Sequence, residues 1–432
     1  MVPLLRCAGA ACALALLACR VASAELSDRH EFKIDFDWSL TETRSNLGAW
    51  PDGGFGKLRH DSRGSNYESS RLAIEYQGQI KTTLFARVIM DAVDDGSTRA
   101  GLTEAYLEWR PLPSGLNRHR LRIGGFYPAF SMENSGPAWT SPYSRSFSAI
   151  NAWLGEEIRP IGIDWRLNRP LGSQGSPGEI STFGGIFYGN DPAGTLLFWR
   201  GWSVHDRQTR LNERLQLPPL VLPGQSGGPD LVIERRLDPI AEIDDRPGFY
   251  AGGEWRYANR ARLSLSFYDN RADPYAFRDG QWAWGTRFWN LATQVSLPGD
   301  FGLVAQRMRG DTDWLIGASN DGTITPLTRY VTDEFDAAFI LFSKAIDRRH
   351  RISLRLDRFD LWRPGELEID EGKSTAIAYR FAVNQRLDMQ LEWIEIESSR
   401  DLWPLLYGQA GSNDEERLVQ LGFKIAVFDS TN

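Results

Sequence analysis

Beyond residue 24 the chain holds no cysteine, since Cys7, Cys12 and Cys19 are its only three. A chain read from Glu25 onward therefore makes no disulfide and needs no thiol chemistry during export. Long apolar runs are also missing past the start. None approaches the roughly 20 residues of a spanning helix, which excludes a helical membrane protein. Histidine is scarce: His30, His60, His119, His205 and His350 are the full set. None stands in a metal-ligand spacing, and no Gly-x-Ser-x-Gly elbow accompanies them. His205-Asp206 in the long loop is the one tempting acid–base pair, and sequence neighbours on a loop need not point together. The pattern argues against an enzyme and implies no cofactor and no metal. Positive charge is short as well. The formal net charge is −7, and removing residues 1–24, with Arg6 and Arg20 and no acids, leaves −9. That balance excludes nucleic acid as a partner.

The chain starts with a short basic region, Met1 to Arg6, then an apolar run from Cys7 to Ala18, then Ala22-Ser23-Ala24. This order predicts a secretory signal peptide over 1–24 and a mature chain over 25–432. Leu16-Leu17-Ala18-Cys19 also reads as a lipoprotein cleavage site, although Leu17 is a poor residue before the small one.

In the first segment after the leader, Phe32, Ile34, Phe36, Trp38 and Leu40 fall on one face and Lys33, Asp35, Asp37 and Ser39 on the other. Period two places alternate side chains on opposite sides of a sheet. Pieces of about ten residues with this pattern recur along the chain, as in a transmembrane β-barrel with lipid outside and water inside. Sixteen Trp residues and 12 % aromatics suit interfacial girdles.

Strands are expected near 30–41, 68–77, 80–91, 101–110, 118–127, 157–168 and 179–188. Nine more follow near 248–257, 260–270, 283–297, 300–310, 333–346, 350–361, 373–384, 386–398 and 416–428. Tight turns such as Gln77-Gly78-Gln79, Pro298-Gly299-Asp300 and Asn384-Gln385-Arg386 join pairs of them. Thr195 to Trp199 also looks like a strand, but counting it breaks both the even number and the short–long alternation of turns. The fold class is thus all-β, an antiparallel barrel of about sixteen strands with long outer loops. Residues 189–247 form one long outer loop, and 128–156 is a candidate constriction loop.

Basic residues alternate with apolar ones on several strands and would line a wet lumen: Arg120, Arg122, Arg166, Arg262, Arg307 and Arg355. Acids share that face, among them Asp35, Asp37 and Asp164, with Glu254, Asp357, Asp388 and Glu392 beyond them. Guanidinium groups there would pair with carboxylates or phosphates in passage, or with these acids. Within 128–156, Glu133, Trp139, Tyr143, Arg145 and Trp153 are the residues suited to narrowing a pore.

Leu121-Arg122-Ile123-Gly124-Gly125-Phe126-Tyr127-Pro128-Ala129-Phe130-Ser131-Met132-Glu133 resembles the strand-end motif of the phosphate-selective porin O/P group. There a basic strand leads to a Gly-x-Phe-Lys-x-Pro-Phe-like turn and a constriction loop. The resemblance implies a porin fold and a pore role. Anion selectivity does not carry over with it, because Tyr127 stands where that group has a lysine and the chain is poor in lysine.

The sequence therefore reads as a bacterial outer-membrane porin, a passive channel for small polar or anionic solutes, working by size exclusion and charge filtering. Its other partners would be outer-membrane lipid and lipopolysaccharide, and a homotrimer suits the architecture. Two alternatives stand beside it. One is an oligosaccharide-specific porin using Trp139, Tyr143, Phe147 and Trp153. The other is a plugged or surface-binding barrel without transport.

Overall fold

Alternating apolar and polar residues leave each segment one greasy and one wet face, and only a closed sheet satisfies every backbone group between two such media. The computed structural model describes residues 29–62, 68–95, 99–173, 175–218, 236–316, 318, 322–326, 328–400 and 413–430. The leader, its three cysteines and the two cleavage sites lie outside them.

Sixteen antiparallel strands close into one barrel. The first seven are β1 (His30–Arg44), β2 (Glu68–Lys81), β3 (Leu84–Val93), β4 (Ala100–Trp109), β5 (Arg118–Gly125), β6 (Ile161–Pro170) and β7 (Gly178–Tyr188). The next five are β8 (Gly248–Tyr257), β9 (Ala261–Asp269), β10 (Gly285–Leu297), β11 (Phe301–Ile316) and β12 (Arg329–Ala345). The last four are β13 (His350–Arg363), β14 (Leu367–Ala382), β15 (Leu387–Ser399) and β16 (Asn413–Asp429). Each strand pairs with its sequence neighbours, and β1 closes the ring on β16 through registers such as Trp38 with Phe423.

All sixteen expected strands are present, with two local corrections. The first hairpin does not turn at 77–79. Pairing continues through Gln77 with Arg87 and Gly78 with Ala86 to Lys81 with Leu84, leaving Thr82-Thr83 as the turn. Thr195 to Trp199 is not a strand but part of a helix, α2 (Thr195–Arg200), which leaves the strand number even.

Leu107, Ile163, Trp165, Ile186, Trp289, Leu291, Leu354 and Ile377 all point outward and are exposed. A belt of this size is unstable in water and matches a hydrocarbon surround.

The lumen is not an empty bore. Two outer connections fold into it: 126–160, which carries α1 (Ala149–Glu157), and the first part of the 189–247 loop, which carries α2. Phe130, Trp153 and Trp202 from these connections pack against Tyr268, Phe288 and Phe335 of the wall. Trp153 meets Trp202, Phe288 and Phe335 edge-on at 5.5–6.0 Å between ring centres. Such rings each bury roughly 150–250 Å², so one side of the lumen is a dry core like that of a soluble protein.

Candidate functional site

The side of the lumen left open is a cavity of about 260 Å³ along β1, β2, β14, β15 and β16. It runs from Lys33, Gln385, Arg386 and Asp429 at the turn end up to Arg59, Arg145 and Asp206. The strands supply alternate residues to it: Asp35 and Asp37 from β1, Ser69 and Arg71 from β2, Asp388 and Gln390 from β15, Gly422 and Lys424 from β16.

Its narrow end is a web of ion pairs. Arg145 Nη1 donates to Asp37 Oδ1 at 2.6 Å, and Nη2 lies 3.5 Å from Asp206. Arg59 donates to Asp95 at 2.7 Å and to Asp206 at 3.0 Å. Arg71 grips Asp91 through two nitrogens and also donates to the Ala138 carbonyl. Nearer the turn end, Lys424 pairs with Asp35 at 3.0 Å and Arg380 with Asp388 at 2.5 Å. Burial alone would raise the Asp206 carboxyl, but Arg59 and Arg145 outweigh it and hold it well below the ordinary range. Burial and then Arg59 push His60 down to about 4, so the ring is neutral at physiological pH.

The constriction loop is pinned by buried polar groups. Arg355 donates to Glu133 at 2.9 Å, to Asp357 at 2.9 Å and to the Ser146 carbonyl at 2.7 Å. Glu133 accepts in turn from Ser148 N and Asn151 Nδ2. Ser148 Oγ caps α1 by accepting from Asn151 N, and Glu392 accepts from Ser146 N and Oγ. The second inward connection locks onto the first through Glu157, whose carboxylate accepts from Gly194 N, Leu196 N and Trp153 Nε1. Lys57 and Arg400 both donate to Asp370, which accepts from Trp202 N as well.

The residues singled out from the sequence thus separate into four places. Asp35, Asp37 and Arg145 border the cavity. Arg120, Arg122, Arg166, Arg262 and Asp164 stand on the wall of β5, β6 and β9. There Arg122 pairs with Asp164 at 2.8 Å, Arg166 with Glu254 at 3.0 Å and Arg262 with Glu254 at 3.1 Å. Gly185, without a side chain, leaves room for Tyr250, whose hydroxyl donates to Asp164. Glu133, Trp153 and Arg355 are buried anchors, and Tyr143 is nearly so. Trp139 lies half-buried, stacked on Tyr127 at 4.2 Å.

Arg307 is the correction. It points outward from β11, where its pair is Asp336 of β12 at 2.7 Å, while its neighbours Gln306 and Met308 are buried inside. The expected constriction residues also lack the free ring faces that a sugar track needs, since Phe147 and Trp153 are packed.

Arg59, Arg71 and Asp206 were not singled out as pore charges. Arg71 shares its inward phase with Ser69 and Ala73, so β2 alternation held a usable signal. Arg59 and Asp206 sit on irregular connections, where no period marks them. His205 and Asp206 diverge: His205 Nε2 lies 3.2 Å from Glu156, while Asp206 turns to the arginines. Tyr127, in the place of the lysine, accepts from Arg159, whose guanidinium also lies over its ring at 4.3 Å.

The closed barrel with an apolar outer face places the chain in a bacterial outer membrane. No known protein family matches the sequence, and no curated protein matches it either. Among solved structures it is similar to the outer membrane channel DcaP of Acinetobacter baumannii, at 11 % identity and a TM-score of 0.52, over 92 % of this chain and 96 % of that one. OprB of Pseudomonas putida matches with 10 % identity and a TM-score of 0.49, over 92 % and 94 % of the two chains. An anion-selective porin from Comamonas acidovorans matches with 11 % identity and 0.46, over 92 % and 99 %. The fold shared with DcaP is a porin-like outer-membrane channel fold.

Proposed function

We propose that the chain is a passive diffusion channel for small polar or anionic solutes, with its path along the β1, β2 and β14–β16 wall. One observation carries this reading: the lining of the polar cavity beside the inward connections has a basic surplus. Seven basic residues line it (Lys33, Arg59, Arg71, Arg145, Arg380, Arg386 and Lys424) against five acids (Asp35, Asp37, Asp206, Asp388 and Asp429). Charges of both signs across a narrow lane orient water and slow apolar solutes, while the surplus favours anions. The more exposed cations, Lys33, Arg380, Arg386 and Lys424, can meet a carboxylate or phosphate in transit.

A second reading, a barrel closed to solutes, draws on the dry aromatic core that fills the other side of the lumen. Single-channel recording of the refolded protein in a planar bilayer separates the two. Steady steps with a reversal potential of anion sign under a salt gradient support the channel reading. Steady steps without that sign remove the anion preference. Silence from well-folded barrels discards the channel in favour of the closed barrel.

A further inference from the structure

We propose that the foot of the 189–247 loop holds a divalent cation, calcium by its ligand chemistry, between Asp191, Glu242 and Asp244. These acids come from opposite ends of the loop. One carboxylate oxygen from each lies within 4.8 Å of the other two. Calcium–oxygen distances run near 2.3–2.6 Å, so oxygens sharing one ion stand at most about 5 Å apart. The three acids are therefore spaced to meet a single ion.

Asp191 supplies the independent sign of a missing ligand. Its side chain is fully buried, and its Oδ1 has no hydrogen-bond partner. Its Oδ2 is already committed, accepting from the backbone N–H groups of Ile243 and Asp244. A buried carboxylate oxygen with no donor, beside two further carboxylates, is unfavourable unless a cation or a proton joins it. The nearby arginines are engaged elsewhere. Arg246 pairs with Asp273 at 2.8 Å and reaches Asp244 only at 3.8 Å, and Arg278 pairs with Asp245 at 2.7 Å.

Backbone groups hold the remaining carboxylates in place. Glu242 accepts from Gly189 N and Asp245 N, and Asp244 from Asp273 N. Three hard oxygen donors with no nitrogen or sulfur favour a hard cation such as calcium over zinc or copper. Glu242 is only partly buried, so water can reach the ion from its side and complete a shell of six to eight ligands.

The position gives such an ion a structural consequence. Gly189 (φ 80°) and Asn190 (φ 66°) adopt left-handed backbone where the chain leaves β7. Asn190 Nδ2 donates to the Glu157 and Pro239 carbonyls, tying this foot to the constriction loop. An ion at Asp191 would clamp both ends of the long loop and hold its first part in the lumen.

The test is calorimetric titration of the chelator-treated, refolded full chain in detergent with calcium chloride, paired with limited proteolysis of the 189–247 loop. One ion per chain is expected, with half-saturation on the order of 0.1–1 mM, the range of extracellular calcium modules. Calcium should slow cleavage within the loop. Asp191→Asn and Asp244→Asn should each weaken binding at least tenfold and abolish the protection. If Asp191→Asn fails to fold, Glu242→Gln, at a partly exposed position, carries the test. Absence of saturable binding, or equal binding by wild type and the variants, overturns the proposal. Neither readout depends on conduction.

Discussion

Arg145 owes its place in the lane to three elements at once. Asp37 of β1 and Asp206 of the long loop hold its nitrogens, and Gly422 of β16 leaves space for its planar head. A Cβ at Gly422 would come within 2.7 Å of the guanidinium carbon, so Gly422→Ala must push the side chain away. One unit charge about 5 Å from a passing ion in wet surroundings is worth about 0.8 kcal/mol, near fourfold in preference before salt screening. Arg145→Ala should thus lower the anion-to-cation permeability ratio about two- to fourfold, and Gly422→Ala should move it the same way by less. Arg307→Ala should leave it unchanged, because that residue faces outward. Reversal potentials of the three variants check this, and an Arg307 effect equal to that of Arg145 would sink the assignment of the lane. Arg307 also shows what alternation conceals. Around it, Val304, Gln306 and Met308 are buried while Leu303 and Ala305 share its outward phase, so neither phase is cleanly apolar. Asp35 and Asp37 are legible because the opposite β1 phase is apolar throughout from Phe32 to Leu40.

The inward connections are held by charges in dry surroundings, and their stability is tied to protonation. Burial, outweighing three donated hydrogen bonds, pushes the Glu157 carboxyl up to about 7 from 4.5. The folded chain therefore binds this proton more tightly than the unfolded one. The stabilising contribution is whole below about pH 4.5, falls as pH rises, and is lost above about 7. That difference in proton affinity corresponds to roughly 3 kcal/mol. Wild type should lose stability between pH 5 and 8 relative to Glu157→Gln, which does not titrate and gives up the bonds to whichever oxygen its amide nitrogen replaces. Thermal unfolding of the two in detergent measures the difference, and parallel pH profiles would refute it. Arg355→Met makes a different case: it strands Glu133 and Asp357 without their partner, and breaking a buried pair costs about 3–5 kcal/mol. Faster proteolysis of 126–160 with the barrel intact is the expected result, while unchanged cleavage would show that Arg355 does not anchor the loop. None of these anchors was legible as an anchor. Glu133, Trp153 and Arg355 drew notice for their chemistry, but irregular connections carry no period to say which side chains meet.

At the scale of the whole molecule, two solvents shape one chain. Lipid outside forces period two on every strand, and for that reason the sixteen strands could be counted from the sequence. Inside, no such rule applies, and the chain builds a second core there from Phe130, Trp153, Trp202, Tyr268, Phe288 and Phe335. This core takes up the lumen beside β7–β13 and leaves the charged cavity along the far wall. Conductance should therefore be set by the fit of the inward connections against that wall, not by the barrel's diameter. Trp202 is the keystone of this fit. It is fully buried, donates from Nε1 to the Asp360 carbonyl, and its backbone is held by Asp370 and Lys57. Trp202→Ala removes about 3–5 kcal/mol of packing and leaves a void between the long loop and the wall. The strand ladder and its lipid-facing belt do not depend on that ring, so the barrel should fold as before. Single-channel steps should then become larger and flicker between levels as the loosened connection leaves and re-enters the lumen. Steps of wild-type size and steadiness from this variant would mean that the aromatic core does not limit the path, and that the bottleneck lies wholly in the charged web around Arg59, Arg145 and Asp206.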